Sequence, residues 1–320
     1  APEPRRIRPG PGPGGRRGRP RGPPRFGGPG GRGRDRDRRR HASGNGDRSR
    51  ATGRLRESGI VGGMLLAEPE PTPADWHFEI AGIRIRVSVW FWVAAALLGF
   101  GICQQFAAGD QRALLGYLVV WAGAVLVSLL VHELGHALAY RFFGQGAHIV
   151  VYHFGGLAIP ETWGRRVALR PIQRLAVSAA GPLAQFALAA AVVAALKLGG
   201  WFVPFPIVSL GRSLGLYEGA PLESPLLGAL VHFLLSVNIF WPLLNLVPVP
   251  PLDGGQIVRE GLLAAGVADA HRIAGVIGVG VGGVAAWWGY TSGQTYLAIL
   301  FAMLAVSCWQ GLTAGGGRWR

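Results

Sequence analysis

The chain has 320 residues, of which 50% are hydrophobic and only 15% charged. A soluble protein carries about a quarter charged residues, so the deficit argues against a water-soluble globule and for a membrane protein, provided the apolar residues gather into long runs. The formal charge of +15 sits at one end: residues 1–63 hold 18 Arg and 5 acidic residues, whereas residues 64–320 hold 14 basic and 12 acidic ones. The two cysteines, Cys103 and Cys308, lie in separate apolar stretches, which excludes a disulfide framework and a Cys-based metal site.

Residues 1–63 are Gly, Pro and Arg with Phe26 as the only aromatic. Such a segment cannot offset the entropy of ordering and is expected to be a disordered arm. It lacks the interleaved aromatics that stack on bases, so nucleic acid is not expected as a partner. The arm has no Lys, and Met64 opens the first coherent segment. Two readings therefore stand together, a solvated tail or translation begun upstream of a native start at Met64. No pairing of a basic with an apolar region near the N-terminus marks a signal peptide. Residues 64–86 read as an approach segment, 87–313 as a membrane-embedded core, and 314–320 as a short basic tail.

A membrane-spanning helix needs about 20 mainly apolar residues. Val87–Cys103 is the first candidate, with Trp90 and Trp92 as interfacial anchors. Ala113–Val131 is the second, the 22 uncharged residues between Arg174 and Lys197 give the third, and Leu226–Leu246 is the fourth. No charge separates Arg272 from Arg318. That stretch is about twice as long as a hydrocarbon core needs, so it should fold as two spans broken at Gly289–Gln294. Basic residues concentrate in alternate loops (Arg84 and Arg86; Arg141, Arg165, Arg166, Arg170 and Arg174; Arg259 and Arg272; Arg318 and Arg320). This asymmetry predicts both termini on the cytoplasmic side of a cell membrane of bacterial type.

Between the second and third spans, Ala147–Leu157 is apolar but too short to cross, and Val150, Val151, Tyr152 and the Gly155-Gly156 pair have strand-like composition. A short re-entrant β-like hairpin is expected there, tolerable only if protein or a wet cavity covers its backbone. The fold class is therefore an all-α polytopic membrane protein of about six transmembrane helices with that hairpin after the second.

His132-Glu133-Leu134-Gly135-His136 fits H-E-x-x-H. On a helix the two His project from one face, one turn apart, and suit a single zinc ion. Glu133 then lies within reach of a water and can accept its proton. Three such residues at the end of an apolar helix are costly unless paired or coordinated.

A catalytic zinc site usually takes a third protein ligand, and the best candidate is Asp253 in Asn245-Leu246-Val247-Pro248-Val249-Pro250-Pro251-Leu252-Asp253-Gly254-Gly255. His132 and Asn245 each lie 19 residues into spans of the same direction, about 28 Å down and thus at matching depth. The prolines should break the fourth helix and Gly254-Gly255 should allow a tight turn, folding Asp253 back toward the His pair. Asn245 either donates a hydrogen bond to substrate or satisfies the broken helix end. His148 and His153 read as interfacial polar residues, His232 and Asn238 as groups facing the bundle interior. Gly278-x-x-x-Gly282 reads as close helix packing.

With these motifs the chain resembles the site-2 protease family of intramembrane zinc metalloproteases over roughly residues 80–313. Its H-E-x-x-H stands as His132–His136, its N-x-x-P-x-P-x-L-D-G as Asn245 to Gly254, and its small A-G-P stretch as Ala180-Gly181-Pro182. Gln185 departs from the pattern, standing where many relatives have Asn. The resemblance implies one Zn2+ per chain bound by His132, His136 and Asp253, with Glu133 as general base. It further implies hydrolysis of peptide bonds in membrane-spanning protein substrates within the lipid bilayer. It fixes no oligomeric state. Gly155 and Gly156 are the expected place for substrate to add as a strand. Two other readings compete, a zinc transporter and an inactive relative that binds membrane partners. The scarcity of further intramembrane acids argues against the first, and the intact Glu133 against the second.

Overall fold

The computed structural model describes residues 70–153, 155–161 and 168–314, all within one compact unit, Arg54–Arg320. The arm at 1–63 and the tail at 315–320 lie outside the described residues. In chain order the elements are β1 (Trp76–Ile80), β2 (Ile83–Val87), α1 (Val89–Ala107), α2 (Gln111–Phe142), β3 (Ala147–Tyr152) and β4 (Gly155–Pro160). There follow α3 (Pro171–Leu198), the short α4 (Val208–Ser213), α5 (Pro225–Asn245), α6 (Asp253–Ala264), α7 (Ala270–Thr291) and α8 (Thr295–Ala314).

Six helices, α1, α2, α3, α5, α7 and α8, are long and apolar enough to cross a membrane. Large apolar side chains remain exposed along them, such as Leu97, Val119 and Val284, as expected where lipid is the solvent. The chain is thus a multi-pass membrane protein. Asp110 caps α2 by accepting from the Arg112 and Ala113 N–H groups, and Pro171 and Pro225 open α3 and α5, where a missing N–H costs nothing. The break between α7 and α8 falls at residues 292–294, inside the expected interval.

Two expectations need correction. α2 does not end at the H-E-x-x-H motif but continues to Phe142, ten residues past His132. At 32 residues it is about 48 Å long, so apolar and polar halves share one rigid rod. Residues 76–87, expected only as an approach to the first span, form a hairpin. β1 pairs antiparallel with β2, β2 parallel with β3, and β3 antiparallel with β4, giving one sheet in the order β1-β2-β3-β4. The sequence signal for β3–β4 was real; the partner strand on its other side was hidden in residues too charged to read as apolar strand, Ile83-Arg84-Ile85-Arg86-Val87.

The period of two along a strand places Ile83, Ile85 and Val87 of β2 and Ile149 and Val151 of β3 in one core with Phe91 and Ala95 of α1 and Leu129 and Ala137 of α2. Buried Arg86 is neutralised by Asp75 at 3.0 Å. Asp75 also accepts from Thr72 and from the Val89 N–H at the start of α1, tying sheet to first span. Gly99 lets the Trp121 indole lie across α1, where its N–H reaches the Ala95 carbonyl at 2.8 Å. Between the last two helices, Gly278 and Gly282 of α7 meet Cys308 and Ala305 of α8, so that spacing does serve close packing.

Candidate metal centre

His132, Glu133 and His136 are all buried on α2. Glycines bring neighbouring backbone to them. A Cβ at Gly135 would stand 2.6 Å from the Ala180 carbonyl oxygen, and one at Gly181 would stand 2.3 Å from His136 Nε2. The Ala180-Gly181-Pro182 stretch therefore lets α3 pass against the motif.

α3 also fixes both rings. His136 Nδ1 lies 2.7 Å from the Val177 carbonyl oxygen, which only accepts, so this nitrogen carries the proton. Gln185, fully buried, gives its amide N–H to the Ser128 carbonyl at 3.2 Å and its oxygen to His132 Nδ1 at 2.8 Å. That nitrogen too must be the donor. Both Nε2 atoms consequently present lone pairs to the same point.

Asp253 arrives there from a different element. Its Oδ2 is 3.1 Å from His132 Nε2, its Oδ1 3.4 Å from His136 Nε2, and the two Nε2 atoms are 3.0 Å apart. With both rings neutral, two nitrogen lone pairs and an anionic carboxylate converge on one point, a donor set that suits a bound cation. Tetrahedral zinc with bonds of about 2.0–2.1 Å to nitrogen and oxygen separates its ligands by about 3.3 Å, which these distances match. Among the described residues this is the group of His, Cys, Asp and Glu able to hold a metal.

The route by which Asp253 arrives differs from expectation. α5 ends at Asn245 and the proline segment follows, but Asp253 is the first residue of a new helix, α6, rather than part of a turned-back loop. Gly254 and Gly255 have no left-handed conformation. They are needed for proximity: a Cβ at Gly254 would fall 2.1 Å from the Leu246 carbonyl oxygen, and one at Gly255 2.2 Å from Pro250 N.

Glu133, next to this group, packs against β4. A Cβ on Gly156 would lie 2.4 Å from Glu133 Cγ, and the Ala158 backbone hydrogen-bonds the Glu133 carboxylate. Gly155, at φ +129, sits beside the Trp241 ring of α5. Asn245 uses its amide on the Trp241 carbonyl one turn back, at 3.0 Å. Asn238 is fully buried and donates to Ser128 Oγ at 2.7 Å. His232 reaches the Pro204 carbonyl. Neither joins the metal cluster, and His148 and His153 stand in and just after β3. The Val177 carbonyl and the anchoring part of Gln185 were not anticipated. Gln185 was singled out only as a departure from the family pattern, and the signal that unites it with Val177 is spacing, since 177, 181 and 185 recur every four residues along one face of α3.

Residues 120–287 match the model of Peptidase family M50, a stretch that includes His132, Glu133, His136 and Asp253. The chain belongs to Peptidase family M50. Among curated relatives it is 29% identical over 187 residues to Rip3 of Mycobacterium tuberculosis, described as a candidate zinc metalloprotease. That alignment covers 54% of this chain and 42% of Rip3. It is 28% identical over 143 residues to sll0528 of Synechocystis, described likewise, covering 44% of this chain and 31% of that one. The chain thus spans less than half the length of the curated relatives it matches. A site-2 protease from Methanocaldococcus jannaschii superposes with a TM-score of 0.46 at 20% identity, covering 74% of this chain and 95% of the other.

Proposed function

We propose that this M50 chain is an intramembrane zinc metalloprotease that hydrolyses peptide bonds of membrane-spanning proteins. The observation that carries this reading is the convergence of His132 Nε2, His136 Nε2 and an Asp253 carboxylate oxygen from two distant segments, with Glu133 adjoining. His132, His136 and Asp253 would hold Zn2+ and leave the fourth position open. Zinc supplies Lewis acidity there, polarising a scissile carbonyl and making water acidic enough to deprotonate near neutral pH.

The side chains do the rest. Glu133 accepts the proton of the attacking water as its oxygen adds to the carbonyl carbon. The C–N bond then breaks, and Glu133 returns the proton to the departing amine. Gln185 and the Val177 carbonyl keep both imidazoles in the tautomer that presents Nε2.

The substrate must be extended, because a helix shields its own peptide bonds. β3 is paired on both sides, whereas β4 is an edge strand of the sheet and runs beside Glu133. β4, with Gly155 and Gly156 at its start, would take the substrate as a fifth strand. The positive-inside asymmetry supports a reading in which both termini, and the metal end of α2, lie on the cytoplasmic side of a bacterial-type cell membrane.

The test is cleavage of a single-span substrate by purified protein carrying either Glu133 or Glu133→Gln. The variant is expected to retain zinc and lose cleavage. Equal cleavage by both would remove Glu133 as base and overturn the mechanism.

A further inference from the structure

The fully buried residues of α6 are Gly254, Gly255 and Glu260, so the one fully buried side chain beyond the two glycines is a carboxylate where an apolar knob would be usual. Glu260 is 1% exposed. Both its oxygens are taken: Oε2 accepts from Arg174 Nε at 2.7 Å, and Oε1 accepts from Arg259 Nε at 3.1 Å and Nη2 at 2.7 Å. Arg174 is itself oriented, donating from Nη1 to the Leu169 carbonyl at 2.7 Å.

The placement of this pair is matched on the two helices it joins. Glu260 lies seven residues after Asp253, two turns on and on the same face of α6. Arg174 lies seven residues before Gly181, the glycine against which the His136 ring rests, again two turns and the same face of α3. Each interval is about 10 Å. The helices run in opposite directions and meet at two levels, Asp253 with His136 over Gly181 at one, Glu260 with Arg174 at the other. An apolar contact at the second level would tolerate sliding, because burial is non-directional. A carboxylate bonded through both oxygens does not.

We propose that Glu260 is a positioning residue: through Arg174 it fixes the register of α6 on α3 and so holds the Asp253 carboxylate at the Nε2 atoms of His132 and His136. The stripe Arg174, Val177, Gly181, Gln185 makes α3 the template for all three groups, two through the imidazole rings and the third through this ion pair. The inference rests on the reading that these three groups bind zinc. Its effect appears in metal affinity, where loss of a group supporting a ligand costs about 10- to 100-fold.

The experiment is competition for zinc between a chelator and the purified full-length protein in detergent, with thermal melting on the same samples. E260Q is expected to bind zinc at least about tenfold more weakly. R174Q, which leaves Glu260 paired with Arg259, is expected to weaken it similarly. The double variant should be no weaker than either single one, the non-additivity of two residues acting as a unit. Should E260Q fail to fold, R174Q alone carries the test. Wild-type-like affinity in E260Q or R174Q, even with a lowered melting temperature, would make the pair merely structural and overturn the positioning role. A wild-type protein that binds no zinc would instead sink the metal reading, and this inference with it.

Discussion

Replacing Gly181 by Ala tests the centre from the helix that templates it. The new Cβ would fall 2.3 Å from His136 Nε2, 2.6 Å from Cε1 and 2.8 Å from Cδ2. Carbon contacts settle near about 3.5 Å, so the ring must retreat by about 1 Å. It cannot retreat freely, because its Nδ1 is bonded to the Val177 carbonyl one turn earlier on the same helix. Metal–ligand distances tolerate about 0.2 Å, so the displaced ring no longer completes the site. Overpacking of this kind costs about 1–3 kcal/mol, and each 1.4 kcal/mol is about tenfold in affinity. Zinc affinity should fall by roughly 10- to 100-fold. Alanine is the better helix former by about 1 kcal/mol, which offsets only part of that cost, so the metal-free protein should melt slightly below wild type. Chelator competition and melting curves measure both. Unchanged zinc affinity in the variant would refute the claim that α3 holds the His136 ring in the ligand set. Gly156→Ala provides the contrast, since its Cβ would crowd Glu133 and leave both imidazoles untouched. There, turnover should drop while zinc affinity stays.

Two further outcomes are expected. Gln185→Leu leaves the His132 Nδ1–H buried without its acceptor and should weaken zinc binding by about 10- to 100-fold, read by the same competition assay. Asp75 tests the sheet. Burial works to raise its pKa, but hydrogen bonds from Thr72, Arg86 and Val89 bring it from 3.8 to about 2. A pKa depressed by folding means that the native state binds fewer protons in this interval. The stabilisation is therefore full above 3.8 and is lost as pH falls toward 2. Asp75→Asn should lower the melting temperature at neutral pH, and the gap from wild type should close in strong acid. A gap that persists at pH 2 would contradict this.

The sequence disclosed the parts that are periodic or charged. Uncharged runs marked all six spans, because lipid forbids charge and demands length. His132, Glu133, His136 and Asp253 stood out because each is costly in an apolar setting. What stayed hidden is contact-borne. β2 carries Arg84 and Arg86 between its apolar residues, so it reads as an ordinary juxtamembrane loop until Asp75 is seen neutralising Arg86. The glycines after Asp253 suggested a turn, whereas close approach to Leu246 and Pro250 is what requires them. Glu260 carries no motif of its own, and only its contact with Arg174 gives it a part in the site.

The stripe on α3 is a part of the centre that the zinc-ligand motifs do not display. Its four positions contribute a guanidinium, a backbone carbonyl, the absence of a side chain and an amide. No residue type recurs, and only the spacing of three, four and four unites them. Each contribution is chemically ordinary, and each acts on a group carried by another helix. Two histidines on α2 could turn through several rotamers, and Asp253 stands at the head of a 12-residue helix, so the geometry of the group has to be imposed by what packs against it. α3 imposes it, and for that reason substitutions at 174, 181 and 185 should act on metal affinity although none of these residues is itself proposed to bind the metal.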